Sequence, residues 1–170
     1  MNSTVLLLVE DSFFLQNLSR SLKRLKASVV TAASKHEALE VCANHEIDLA
    51  LLDIRQEGNG AMQVLARLKK NQPETEVILL SAPENIALTM EGLRQGASDE
   101  ITFPFDVDSL KKTITSALRR RRAHQKVCRK RALLNVFENT MMAATFAEAG
   151  EFETAQNIYK GDGNKENAGS

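Results

Sequence analysis

Four residues carry the chemistry that this sequence offers: Glu10, Asp11, Asp53 and Ser81. Each stands where an apolar run stops. Val5–Val9 ends in Glu10-Asp11, Leu49–Leu52 ends in Asp53, and Val77–Leu80 ends in Ser81. Three carboxylates brought to one place repel one another, and a divalent cation relieves that repulsion. An all-oxygen ligand set completed by water suits Mg²⁺. A carboxylate kept ionised by such a cation is a nucleophile, and Asp53 can then accept a phosphoryl group as an acyl phosphate. The competing explanation is that acidic residues end strands because loops are solvated. It suffices for any one of these residues, but three at matching strand ends favour the chemical explanation.

Whether those ends meet depends on the elements that precede them. Val5–Val9 is short and wholly apolar, the pattern of a strand buried on both faces. Phe14, Leu18, Leu22 and Leu25 follow at helical spacing. Ser28–Ala32 is a second short strand, and Ser34 with Glu37 forms a capping box for a helix running to about Asn44. Leu49–Leu52 is the third strand, Ala61–Lys70 a helix and Val77–Leu80 the fourth strand. Glu84–Gln95 is a helix stopped by Gly96. A fifth strand around Glu100–Thr102 runs into Phe103-Pro104, and Asp106 or Asp108 caps a last helix starting near Leu110. This alternation specifies an α/β fold, a doubly wound five-stranded parallel sheet with helices on both faces. Functional residues of such sheets gather at the carboxyl ends of the strands.

Val5-Leu6-Leu7-Leu8-Val9-Glu10-Asp11, Leu51-Leu52-Asp53-Ile54-Arg55 and Leu79-Leu80-Ser81-Ala82 resemble the receiver domain of two-component response regulators. Gly96-Ala97-Ser98-Asp99 and Phe103-Pro104-Phe105-Asp106 extend the likeness, which covers about residues 3–120. The resemblance implies a flavodoxin-like sheet of order 2-1-3-4-5. It implies that Asp53 is the phosphoacceptor and that Glu10, Asp11, Asp53 and the backbone carbonyl of Arg55 hold Mg²⁺. Ser81 would turn inward to bind the phosphoryl group. The donor would be a phosphohistidine on a sensor histidine kinase or a histidine phosphotransfer protein.

Three positions depart from that family. Its members normally carry a lysine before the proline after strand five, where this chain has Phe103. A charge-assisted bond of that kind is worth about 1.5–3 kcal/mol, so its loss should slow phosphotransfer or uncouple it from conformational change. Phe103 either plugs the edge of the site or packs beside Pro104. Glu100 replaces the aromatic switch residue. Glu57 stands where the family has proline, and Gly60 comes one residue early. Two functions therefore compete. One is a phosphorelay receiver that passes a conformational change to a partner. The other is a phosphorylation-independent pseudo-receiver serving as an adaptor or dimerisation module. No general base, nucleophile pair or phosphate-binding glycine loop points to an independent enzyme.

The 22 basic and 22 acidic residues are unevenly placed. Residues 1–108 carry a net −6, residues 109–137 a net +10 with no acid, and residues 138–170 a net −4. The expected organisation is a receiver-like domain over 1–122, a helical extension over 123–160 and a disordered tail over 161–170. The helix from Leu110 should continue to about Asn139, burying Leu110, Ile114 and Ala117. It carries Arg119, Arg122, Lys126, Arg129 and Lys130 as a stripe on the opposite face, a candidate partner-binding surface. No aromatic or amide residue interleaves that stripe, which argues against nucleic acid. An alternative is that the acidic segment 138–153 folds back on it. Leu133, Leu134, Phe137, Met141, Met142 and Phe146, with a turn over 147–151 and Phe152 onward, form a helical hairpin that needs a cover: its own domain, a partner or a second copy. His36, His45 and His124 are scattered and read as surface residues. Isolated Cys42 and Cys128, no basic leader and no apolar run near 20 residues point to a cytoplasmic protein without a membrane span.

Overall fold

Alternate residues of the first apolar run face opposite sides of a sheet, and this builds a two-sided core. Val5, Leu7 and Val9 pack with Leu18, Leu22, Leu110 and Ile114 on one side. Leu6 and Leu8 pack with Ala38, Val64, Leu65 and Leu68 on the other. The computed structural model describes residues 3–23, 27–55 and 58–148. They form β1 (Ser3–Leu8), α1 (Ser12–Lys23), β2 (Ala27–Ala32), α2 (Lys35–Asn44), β3 (Leu49–Asp53) and α3 (Gly58–Asn71). There follow β4 (Glu76–Ser81), a 3₁₀ turn (Pro83–Asn85), α4 (Ile86–Arg94), β5 (Asp99–Thr102) and α5 (Val107–Glu148). All strand pairs are parallel and the order is β2-β1-β3-β4-β5. The flavodoxin-like, doubly wound α/β architecture expected from the sequence is the one present.

Local chemistry sets the element ends. The Ser34 hydroxyl accepts from the Glu37 amide at 3.3 Å. Glu37 reaches back to the amide of Ala33 at 2.9 Å, one residue before the cap. Pro83 stands in a first turn, where its missing N–H costs nothing, and the 3₁₀ turn it opens precedes α4, which begins at Ile86 rather than Glu84. Gly96 ends that helix at φ +103°, a conformation side chains with a Cβ rarely adopt. Asp106 caps α5: its carboxylate accepts from the Ser109 amide at 2.7 Å and the Ser109 hydroxyl at 2.6 Å. The helix thus starts at Val107, three residues before Leu110.

α5 also runs further than expected, past Asn139 to Glu148, and takes in the first two residues of the anticipated turn. The remainder of that hairpin and the 161–170 tail lie outside the described residues. The chain divides into two compact units, Met1–Ala123 and His124–Ser170. In the first, Leu110, Ile114 and Ala117 of α5 are buried as the helical spacing predicts. In the second, Cys128 is exposed. The three histidines are exposed too. No helix among the described residues is long and apolar enough to cross a membrane.

Candidate functional site

Pairing of β1 with β3 sets Leu8 opposite Leu52, and pairing of β3 with β4 sets Asp53 opposite Leu80. The residues that follow β1 and β3 therefore share the carboxyl edge of the sheet. The winding direction reverses between these two strands, which is where open α/β sheets place their sites.

Glu10 and Asp11 are exposed there. One Asp11 oxygen, Oδ1, accepts from the amides of Phe13 at 2.9 Å and Phe14 at 3.0 Å, and so caps α1. Asp53 is largely covered, its side chain 9% exposed. Its Oδ1 accepts from the Arg55 amide at 3.0 Å and from Arg55 Nε at 2.9 Å. Its Oδ2 accepts from Arg55 Nη2 at 2.7 Å. The hydrogen bonds to Asp53 raise the Arg55 pKa above its usual value; burial opposes this, and the charges of Asp53 and Asp11 add to it.

Two aromatic rings, Phe14 and Phe103, frame that guanidinium. Its carbon lies 4.4 Å from the Phe14 ring centroid and 5.0 Å from that of Phe103. Phe14 and Phe103 meet edge to face at 6.5 Å, as do Phe103 and Phe105 at 5.9 Å. Cation–π contact of this kind contributes from about 0.5 kcal/mol when exposed to about 2 kcal/mol when desolvated. Phe103 thus borders the site through Arg55. It is also 43% exposed, so it does not seal the edge.

Ser81 is 1% exposed, and its hydroxyl bonds that of Thr102 on β5 at 3.3 Å. Glu100 is exposed on the same strand, and no aromatic ring occupies that position. Glu57 lies outside the described residues.

The donors at this edge are oxygens, the type Mg²⁺ takes. Yet among the described residues no three His, Cys, Asp or Glu side chains are grouped to hold a metal ion. Both oxygens of Asp53 face a guanidinium instead. Glu10, Asp11, Asp53 and the Arg55 carbonyl are donors of the right type for a divalent cation, and at Asp53 the Arg55 guanidinium competes for them. Sequence reasoning named Arg55 for its backbone carbonyl and missed its side chain. The available signal was a cation two residues beyond the carboxylate, with aromatics at 14 and 103.

The basic stripe is also partly reassigned. Arg119, Arg122, Lys126, Arg129 and Lys130 are exposed as expected, with Arg122 donating to the Ser3 hydroxyl at 3.3 Å. Between them, Arg120 pairs with Glu76 at 2.8 Å. Arg121, 7% exposed, pairs with Glu46 at 2.9 Å and Asp48 at 3.3 Å. Some of the basic charge therefore binds acids of the first unit.

A family model described as the response regulator receiver domain matches residues 5–115. The uncharacterized transcriptional regulatory protein YkoG of Bacillus subtilis is 36% identical over 118 residues, 67% of this chain and 50% of YkoG. The transcriptional regulatory protein GlrR of Escherichia coli is 35% identical over 114 residues, 67% of this chain and 26% of GlrR. The chain thus spans half or less of the length of these curated relatives. Among solved structures, NtrX from Brucella abortus superposes with a TM-score of 0.69 at 25% identity, covering 75% of this chain and 30% of NtrX. A CheY-like receiver domain protein from Methanospirillum hungatei gives 0.68 at 22% identity, covering 73% and 99%, and so shares the fold.

Proposed function

Because this chain belongs to the response regulator receiver-domain family of two-component systems, we propose that Asp53 accepts a phosphoryl group and that the resulting change is relayed to a protein partner. The observation that carries this reading is the position of Asp53: a mostly buried carboxylate at the end of β3, on the edge where the sheet reverses its winding. The donor would be a phosphohistidine of a sensor histidine kinase or a histidine phosphotransfer protein. An Asp53 oxygen would form the new P–O bond as the P–N bond breaks, its electron pair returning to the imidazole nitrogen. Mg²⁺ would supply charge neutralisation at the transferring group. Glu10, Asp11, Asp53 and the carbonyl of Arg55 are its proposed ligands.

Ser81 would exchange its bond to Thr102 for one to a phosphoryl oxygen. Its place beside Leu80, the register partner of Asp53, supports that role. Output would pass from the receiver-like domain, residues 1–122, to the helical extension over 123–160. There Leu133, Leu134, Val136, Phe137, Met141 and Met142 are exposed apolar residues suited to a downstream protein or a second copy. The exposed Arg119, Arg122, Lys126, Arg129 and Lys130 would steer an acidic partner. The role is one of signalling rather than of turnover.

One observation favours the second reading, a pseudo-receiver that binds its partner without phosphorylation: both Asp53 oxygens are engaged by Arg55. Acetyl phosphate with Mg²⁺ separates the two. The expected result is a mass gain of one phosphoryl group on the wild type and none on Asp53→Asn. A folded wild type that gains no mass would overturn the phosphoacceptor reading in favour of the adaptor.

A further inference from the structure

We propose that Arg55 is the resident cation of the acidic edge: its side chain closes the Asp53 carboxylate and competes with a divalent ion for it. The proposal concerns the resting carboxylate and does not require phosphoryl transfer.

Three features of the geometry combine. First, one residue supplies every hydrogen bond described to Asp53. The Arg55 amide and Nε both donate to Oδ1, and Nη2 donates to Oδ2. The planar guanidinium matches the planar carboxylate, a fit that a point charge such as an ammonium does not reproduce. Second, Phe14 from α1 and Phe103 from the segment after β5 flank the guanidinium at 4.4 and 5.0 Å. Neither ring offers a competing acceptor, and both replace water that would screen the pair. Third, Oδ1 already accepts two bonds and Oδ2 one, so a metal at Oδ1 must displace an arginine donor and a metal at Oδ2 must share that oxygen with Nη2. A dication and a guanidinium brought to the same carboxylate also repel each other.

Arg55 is therefore double-edged. Its backbone carbonyl is a candidate metal ligand, while its side chain withholds the principal carboxylate. Guanidinium does not deprotonate in proteins, so raising the pH cannot open this contact. A competing cation or a rearrangement of the aromatic frame would open it. Phe103, the more exposed of the two flanking rings, is the part of the frame best placed to move.

The test is a Mg²⁺ titration of the full chain, followed by amide proton–nitrogen spectra. Wild type is compared with Arg55→Gln, Arg55→Lys and Phe103→Ala. Arg55→Gln is expected to bind Mg²⁺ about tenfold more tightly than wild type, the size of effect that loss of one charge-assisted pair produces. Arg55→Lys should fall between them, and Phe103→Ala should recover a smaller part of the gain. In the wild type, saturating Mg²⁺ should move the Arg55 Nε–H resonance in the same direction as Asp53→Asn does without metal. Equal affinity in wild type and Arg55→Gln, or no saturable binding by folded Arg55→Gln, would overturn the proposal. If Arg55→Gln fails to fold, Arg55→Lys and Phe103→Ala carry the same comparison. Phosphorylation is not read in this experiment, so failure of the acetyl phosphate test is a separate result.

Discussion

The carboxylate of Asp106 accepts both an amide and a hydroxyl bond from Ser109, and these bonds hold its pKa below the ordinary aspartate value. The Ser109 hydroxyl is the larger cause, followed by the Ser109 amide. The folded-state pKa is depressed, so the cap contributes fully above the unfolded-state pKa. Its contribution is lost as pH falls through the lower, folded value. Carboxyl carbon NMR should therefore place the Asp106 midpoint below that of an unperturbed aspartate, and Ser109→Ala should move it back up. An unchanged midpoint in Ser109→Ala would remove the hydroxyl as the cause. Asp11 caps α1 in the same manner with one oxygen. At this scale the sequence was legible where a motif is local: Ser34 and Glu37 lie three residues apart, while the cap of α5, open between Asp106 and Asp108 in the sequence, is Asp106. The Asp53–Arg55 contact is equally local. It was overlooked because a rigid fork closing back over two residues depends on what lies above it, and here that is Phe14 and Phe103.

α5 illustrates how a helix is read from its own periodicity and misread in its charges. Leu110, Ile114 and Ala117 bury on one face, as spacing at 3.6 residues per turn requires. The charged residues between them looked like a single basic block. Arg120 and Arg121 instead reach Glu76, Glu46 and Asp48, which are 44 to 75 residues away in sequence. Arg121 and Asp48 are both largely buried, with side chains 8% and 14% exposed. Removing Arg121 takes a charged partner from a largely buried carboxylate, which keeps the Thr4 amide at 2.9 Å. Arg121→Ala should therefore lower stability by about 2 kcal/mol, short of the loss for a fully buried pair because Glu46 is well exposed. Arg121→Met, which keeps an apolar stem over the same ground, should cost less. Urea unfolding of the two variants checks this order. A larger loss for Arg121→Met would mean that excluding water from Asp48 and Glu46 outweighs the retained packing.

Across the whole chain, the two compact units differ in what they cover. Residues up to Ala123 enclose two apolar layers about the sheet. In the second unit, Leu133, Leu134, Val136, Phe137, Met141 and Met142 are each at least 49% exposed. Exposed apolar residues this close together are suited to a contact surface, as proposed above. If a second copy supplies the cover, light scattering should give a dimer at tens of micromolar. Leu134→Glu with Phe137→Glu should then give a monomer with an unchanged receiver unfolding transition. A monomeric wild type at that concentration would assign the surface to a different protein.

At the scale of the molecule, the sequence by itself determined the doubly wound sheet. Short all-apolar runs demand burial on both faces, and the helices between them leave parallel pairing with right-handed crossovers as the solution. It also determined that Asp53 and Ser81 end their strands and that Asp11 follows its own, since each polar residue stands where an apolar run stops. Only the tertiary structure decided how the acidic edge is neutralised. That outcome depends on Phe14 arriving from α1 and Phe103 from beyond β5 to frame a guanidinium. Likewise, the partners of Arg120 and Arg121 follow from packing α5 against the sheet. Apolar periodicity is a local property that can be read along the chain, whereas a charge takes its partner from whatever the fold brings near.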